Sequence, residues 1–170
     1  VERPASDSTY VPIEFKITRG TSRTNPVPYY VMLLDTIGYI YISTFSVEGC
    51  SKEIKRAFIE LKQQGATSMV LDVRSNSGGL IEPSIEMAGY FLPKDREVVS
   101  TEGRVIPKES YKARKGGVFT KGEVIVLIDE FSASASEIVS GALQDWDRAT
   151  IIGRPSFGKG LVQRQIPMVD

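Results

Sequence analysis

Apolar runs of strand length recur along the chain and are separated by segments whose apolar residues have helical spacing. This alternation predicts an α/β layered core. The clearest runs are Tyr39–Phe45, Thr67–Val73 and Glu123–Ile128, which are rich in β-branched and aliphatic residues. Because Glu123–Ile128 is the most apolar of them, we expect it to be a central strand. Weaker strand patterns are Val11–Thr18, Glu97–Val105, Ala149–Ile152 and Leu161–Ile166.

Three helices are predicted from apolar residues that recur at spacings of three and four. The first is expected to begin at a Ser51 cap and to stop at Gly65, and its buried face carries Ile54, Ala57, Phe58 and Leu61. The second passes through Ile85, Met87, Ala88 and Phe91, and the third runs from about Ser134 to Asp145. The segment that precedes Tyr29 reads mainly as linker, and the basic stretch Arg104–Lys115 is interpreted as a solvated loop.

Composition and charge narrow the classes of function. The chain has 21 basic and 21 acidic residues, so no net field draws it to nucleic acid or to a membrane surface. Its single cysteine, Cys50, allows neither an internal disulfide nor a cysteine cluster for a metal. The length of 170 residues favours one domain with a sizeable core.

The chain contains no histidine. This excludes a Ser-His-Asp or Cys-His catalytic site within it, and histidine-based metal sites as well. Acid–base chemistry near neutral pH must therefore come from a lysine, a carboxylate or a tyrosine with a shifted pKa. No cofactor and no metal are expected.

A serine-rich turn, DEFSASASEI at 129–138, joins the most apolar strand to the third helix. A helix N-terminus offers unpaired N–H groups and a positive dipole end, which can stabilise an oxyanion. The same segment fits a capping box in which Ser134 caps the helix and Glu137 reaches back, and this is the commoner use of such a pattern. Ser132 and Ser136 compete with Ser134 for any catalytic role.

The glycine-flanked Lys159 in GRPSFGKG (153–160) is a candidate base. In a confined site it could lose its charge through desolvation, whereas in a solvent-facing turn it would keep it. A phosphate-binding loop is discounted because Gly160 occupies the position where that motif requires Ser or Thr. A third candidate is the Asn76–Gly79 turn, whose paired glycines could aim backbone N–H groups at an oxyanion or could simply form a turn.

In combination, three segments resemble the carboxy-terminal processing peptidases, also called tail-specific proteases, of the S41 serine peptidases. These segments are LDVRSNSGGL (71–80), VIVLIDEFSASASEI (124–138) and RATIIGRPSFGKGLVQ (148–163). The resemblance implies that Ser134 is the nucleophile and Lys159 its general base. It further implies that Gln163 orients the lysine, provided that both lie on the same face of a strand.

By the same resemblance, the oxyanion hole would consist of the Ala135 N–H and one N–H from Gly78 or Gly79, with Glu137 supporting the turn. The implied fold is the ββα-spiral core of the crotonase and Clp type. A neutral Lys159 would be favoured by burial beside Phe157 and Leu161.

The family implies polypeptide substrates with exposed C-terminal tails, no nucleic-acid partner, and a location in the bacterial periplasm or cell envelope. A PDZ domain usually precedes the core, so residues 1–20 are assigned to its last strand (Val11–Arg19) and a linker, and residues 21–170 to a peptidase core that would continue past Asp170. The sequence leaves open whether the protein is a homo-oligomer. Two alternatives remain: a lipid-, retinoid- or peptide-binding protein on the same core, and a small-molecule esterase or amidase.

Overall fold

The computed structural model describes residues 2–4, 10–12, 14–20, 24–47, 49–114, 116–163 and 168. The strands within this part of the chain are β1 (Glu2–Pro4), β2 (Tyr10–Pro12), β3 (Tyr29–Leu33), β4 (Ile37–Tyr41), β5 (Ser68–Asp72), β6 (Glu97–Thr101), β7 (Glu109–Lys112), β8 (Val124–Ile128) and β9 (Thr150–Gly153). The helices are α1 (Cys50–Gln63), α2 (Ile81–Ala88) and α3 (Ala135–Asp145).

A five-stranded sheet with the order β3-β4-β5-β8-β9 forms the centre of the fold. The β3–β4 pair is antiparallel and the other pairs are parallel. Paired positions across the parallel strands are Ile40, Leu71, Val126 and Ile151. The first three are fully buried and share one core with the apolar faces of the helices. The sheet and the helices therefore form layers around a shared core, as the sequence predicts.

The three strongest strand predictions are confirmed as β4, β5 and β8. The three helices are also present, although α2 ends at Ala88 and does not reach the predicted Phe91. As expected, β8 is an interior strand, between β5 and β9. The middle strand of the sheet, however, is β5. The predicted Ser51 cap is wrong. Gly49 precedes α1 with a φ of 79°, and Ser51 lies within the helix.

Some weaker sequence patterns are corrected. The stretch Arg104–Lys115 is not simply a loop, because β7 lies within it and pairs with β6; Lys115 itself is outside the described residues. Of the predicted strand Val11–Thr18, Val11 and Pro12 belong to β2, Ile13 is outside the described residues, and Glu14–Thr18 have no regular structure. Residues 161–163 form no strand, and residues 164–166 are outside the described part of the chain. The prediction also missed β3, which lies at the edge of the sheet.

The parallel strands bring the three candidate motifs to one edge of the sheet. The glycine turn follows β5, the serine turn follows β8, and the lysine loop follows β9. Since the carboxyl ends of parallel strands face the same way, all three segments emerge together. None of the described helices is long and apolar enough to cross a membrane.

Candidate active site

Asn76 anchors the glycine turn to the rest of the site. Its side chain is fully buried, and its Nδ2 donates a hydrogen bond to the carbonyl of Ile42 at 2.9 Å. Its Oδ1 accepts the Gly78 N–H at 2.9 Å. Its own carbonyl accepts the Ala133 N–H and the Ser136 hydroxyl, at 3.1 Å and 2.9 Å. The turn is therefore fixed both to the sheet and to the start of α3.

Gly78 lies directly against the serine turn. A Cβ atom at this position would meet the Ala133 carbonyl oxygen at 2.5 Å and the Ala135 nitrogen at 2.8 Å. The φ of Gly78 is 95°, which L side chains rarely adopt. Glycine is thus required here both by its conformation and by the close approach of the two backbones.

The structure separates the three serines of the turn. Ser132 and Ser136 are fully buried, and their hydroxyls donate hydrogen bonds to the carbonyls of Val73 and Asn76 at 2.8 Å and 2.9 Å. Ser134 is only partly buried and lines a surface cleft. Its φ and ψ of 55° and −112° lie in a sparsely populated region, a form of strain that clusters at functional sites.

The Glu137 carboxylate connects the serine turn to the lysine loop. Its Oε2 accepts the N–H groups of Ser134 and Lys159 at 2.7 Å and 2.9 Å. Its Oε1 accepts the Ser156 hydroxyl at 2.7 Å and the Gly158 N–H at 2.6 Å. Burial alone would raise the pKa of Glu137, but these hydrogen bonds outweigh it and hold the pKa below its ordinary value. The carboxylate is therefore charged at neutral pH.

Lys159 is half-buried, and its Nζ donates a hydrogen bond to Gln163 Oε1 at 3.2 Å. This brings together the two residues that the resemblance pairs. The expected apolar enclosure is wrong for the described residues, because the flanking Phe157 and Leu161 are 67% and 77% exposed. Their side chains extend into solvent and do not bury the amine.

Ser134 and Lys159 line the same open cleft, which has a volume of about 670 Å³. One wall is a face of α3 and the other is the strand β6. The Trp146 indole also lines the cleft, and it links the two walls by donating its Nε1–H to the Glu97 carbonyl at 2.7 Å. The remaining lining residues include Val98, Val99, Ile138, Gly141, Ala142 and Asp145.

Sequence reasoning missed Asp129, which follows β8 directly. Its carboxylate accepts backbone N–H groups from Ser75 on the glycine turn and from Phe131 and Ser132 on the serine turn. An aspartate three residues before a serine is a recognisable turn signal, but the contact with Ser75 spans 54 positions. Among the described residues, no group of acidic, histidine or cysteine side chains is arranged to hold a metal ion.

The α/β fold is shared with solved peptidase structures. The solved structure of the photosystem II D1 C-terminal processing protease matches with a TM-score of 0.75 and 29% identity, over 86% of this chain and 41% of that one. The tricorn protease shares the fold with a TM-score of 0.50 and 24% identity, over 72% of this chain and 11% of that one.

The chain belongs to peptidase family S41, whose family model matches residues 36–170. The carboxyl-terminal-processing protease of Synechocystis sp. is 40% identical over 97% of this chain and 39% of its own length. The carboxy-terminal processing protease CtpA of Bacillus subtilis is 38% identical over 89% of this chain and 32% of its own. The family resemblance and the α/β fold predicted from the sequence are confirmed. The chain spans about a third to two-fifths of the length of these relatives.

Proposed function

We propose that this chain carries the catalytic site of a serine endopeptidase, with Ser134 as the nucleophile and Lys159 as its general base. The observation that carries the proposal is that both side chains line one cleft, while the Glu137 carboxylate binds the backbone N–H of each. Ser132 and Ser136 are poor alternatives because their hydroxyls are buried and already donated. A nucleophile and a base held by a third group form the usual arrangement for covalent catalysis.

The reaction is acyl transfer to Ser134 followed by hydrolysis. The neutral Lys159 amine takes the proton from Ser134 Oγ as that oxygen attacks the peptide carbonyl carbon. The resulting ammonium gives this proton to the nitrogen of the departing amine, and the C–N bond breaks. Water then attacks the acyl ester and passes a proton to Lys159, which returns it to Ser134 Oγ as the acid product leaves.

The oxyanion is best received by the N–H groups of Ala135 and Gly79. The Gly78 N–H is donated to Asn76 Oδ1 at 2.9 Å, so it is already engaged. Within the described residues, no protein acceptor takes the N–H of Gly79 or that of Ala135, the first residue of α3. This favours Gly79 over Gly78 as the second donor of the oxyanion hole.

Polypeptides cut near their C-termini are the proposed substrates, since several relatives are named carboxyl-terminal-processing proteases. An open cleft between a helix face and a strand suits an extended chain. A preceding PDZ domain ending within residues 1–20 and a bacterial periplasmic or envelope location remain predictions, and one relative, from Tetradesmus obliquus, is named chloroplastic.

The test is hydrolysis of casein by the protein with whatever flanking segments its gene encodes. Ser134→Ala and Lys159→Ala are expected to abolish cleavage while the fold is retained, and Lys55→Ala, at an exposed position on α1, is the matched control. Activity should rise with pH, because only a neutral amine accepts a proton. Variants that cut as fast as the wild type, or a flat profile from about pH 6 to 10, would contradict a lysine base.

If the wild type cuts no peptide, two further assays separate the alternatives. Saturable binding of a retinoid or fatty acid in a fluorescence titration would favour a binding protein. Cleavage of small esters that depends on Ser134, without cleavage of peptides, would favour an esterase.

A further inference from the structure

The Asp129 carboxylate holds two turns of the candidate site against each other. On one side it accepts the Ser75 N–H at 2.9 Å and 3.0 Å, and the Ser75 hydroxyl at 3.2 Å. On the other side it accepts the Phe131 N–H at 3.0 Å and the Ser132 N–H at 3.1 Å. One side chain thus binds the backbone that leads to the glycines and the backbone that leads to Ser134.

Two features make this contact demanding. Ser75 has a φ of 58°, a left-handed conformation that is unusual for a residue other than glycine, so its surroundings must hold it there. Asp129 is expected to stay charged at neutral pH. Burial alone would raise its pKa, but the hydrogen bonds from Ser75, Phe131 and Ser132 hold the pKa below its ordinary value. Hydrogen bonds to a charged acceptor are stronger than those to a neutral one.

The consequence reaches the reacting atoms through the backbone. Ser75 begins the turn that ends at Gly78 and Gly79, and Gly78 lies against the Ala135 nitrogen. The spacing between the Gly79 and Ala135 N–H groups therefore depends on how the two turns are docked. We propose that Asp129 is a positioning residue, which sets the glycine turn against the serine turn and so fixes the oxyanion hole. This inference rests on the proposed peptidase function.

Asp129→Ala tests the proposal, because it removes both carboxylate oxygens and leaves the main-chain carbonyl, which accepts the Ser132 N–H, in place. The exchange of the Ser75 amide hydrogen should become faster, since the Asp129 carboxylate is its acceptor. The kcat for a peptide substrate should fall on the order of 100-fold, the cost of a displacement of about 1 Å at a catalytic site, with KM within about twofold. Asp129→Asn keeps one carbonyl oxygen as an acceptor and should recover part of kcat.

The matched control is Glu130→Gln, which removes the neighbouring carboxylate. Glu130 pairs with Arg154 at 2.9 Å at an exposed site, so both amide exchange and kcat should remain close to wild type. Affinity for a peptide boronate gives a second measurement, since its adduct with the serine places an oxygen in the oxyanion hole. That affinity should fall in parallel with kcat, while the binding of uncleaved peptide to a Ser134→Ala protein should be unchanged when Asp129→Ala is added.

The outcomes are distinguishable. A wild type that cuts no peptide overturns the proposed function, and this inference falls with it. If the wild type cuts and Asp129→Ala has the same kcat, the positioning role alone is overturned. The same holds if Asp129→Ala differs from the wild type only in a raised KM. If Asp129→Ala does not fold, Asp129→Asn decides: a lowered kcat with unchanged KM and weaker boronate binding supports the role, and wild-type values overturn it.

Discussion

Lys159 Nζ donates a hydrogen bond to Gln163 Oε1 at 3.2 Å, although no strand runs between the two residues. The even spacing on a strand, from which their proximity was predicted, is therefore not the cause. The contact arises within an irregular loop in which Glu137 holds the Lys159 backbone. Because the Gln163 side chain is exposed, the lysine depends on this bond for orientation more than for burial.

Substitution of Gln163 should change the rate and its pH dependence in separable ways. Gln163→Ala removes the acceptor, so kcat should fall about tenfold or more while KM changes little. Gln163→Glu keeps an acceptor but places a negative charge beside the amine, which favours its charged form. The rise of activity with pH should therefore move to higher pH in Gln163→Glu, but not in Gln163→Ala. Complete kcat–pH profiles of both variants check this. If both profiles coincide with that of the wild type, Gln163 has no part in orienting Lys159.

Glu137→Gln should impair both stability and activity. An amide nitrogen would replace one carboxylate oxygen and would face two hydrogen-bond donors that it cannot accept. The expected cost is about 1–3 kcal/mol of unfolding free energy, with a larger relative loss in kcat because the lysine loop is released. Urea unfolding and peptide hydrolysis measure the two effects. Glu53→Gln on α1, where the pair with Arg56 is exposed, is the matched control and should show neither effect.

The lowered pKa values of Asp129 and Glu137 predict a loss of stability in acid. A carboxyl whose pKa is lower in the folded than in the unfolded chain contributes stability above its unfolded value of about 4, and this contribution is lost as the pH falls through the folded value. The Tm should therefore fall below about pH 4. The fall should be smaller in Glu137→Gln, which starts from a lower Tm at neutral pH. If calorimetry shows that Tm falls equally with pH in the wild type and in Glu137→Gln, this would argue against the assigned contacts of Glu137.

The interior strands were predictable because they are nearly continuous apolar runs; in β8, Val124 and Val126 are buried and the other three residues are partly buried. By contrast, β3 lies at the edge of the sheet, and its outward residues Tyr29, Val31 and Leu33 are exposed, so no buried face marks it in the sequence. What makes it a strand is its antiparallel pairing with β4, which the apolar pattern of the sequence does not reveal. The turn chemistry made the glycines and the lysine candidates, but each also had an ordinary turn interpretation, and only the family resemblance favoured the catalytic one.

The residues of the candidate site were predictable only where they belong to local sequence motifs. Choosing Ser134 among three serines required the family resemblance, and the physical reason became visible only in the burial of Ser132 and Ser136. Asp129 was missed because its function depends on Ser75, which is distant in sequence. The expected enclosure of Lys159 by Phe157 was wrong because neighbours in sequence need not pack together in an irregular loop.

Gly78→Ala should abolish activity through contact and not through backbone conformation alone. Gly65 has a φ of 103° with nothing within 4 Å of a Cβ atom, so Gly65→Ala isolates the conformational cost of about 1–3 kcal/mol. At Gly78 the added methyl would also collide with the Ala133 carbonyl and the Ala135 nitrogen. We expect both variants to lose Tm, but only Gly78→Ala to lose peptide hydrolysis at a temperature where both remain folded. Retained hydrolysis in Gly78→Ala would mean that the two turns can separate without affecting catalysis.

Gly141 offers a way to test the cleft without touching the proposed catalytic residues. It lies within α3 and lines the cleft, and a Cβ atom added to it would meet nothing within 4 Å. Gly141→Ala should therefore raise the unfolding free energy by up to about 1 kcal/mol, since alanine is the better helix former, and should leave hydrolysis nearly unchanged. Gly141→Leu should keep most of that stability while its side chain fills the cleft beside Ile138. Its kcat/KM for peptides should fall at least about tenfold, and unaltered kinetics for Gly141→Leu would show that substrate does not occupy this part of the cleft.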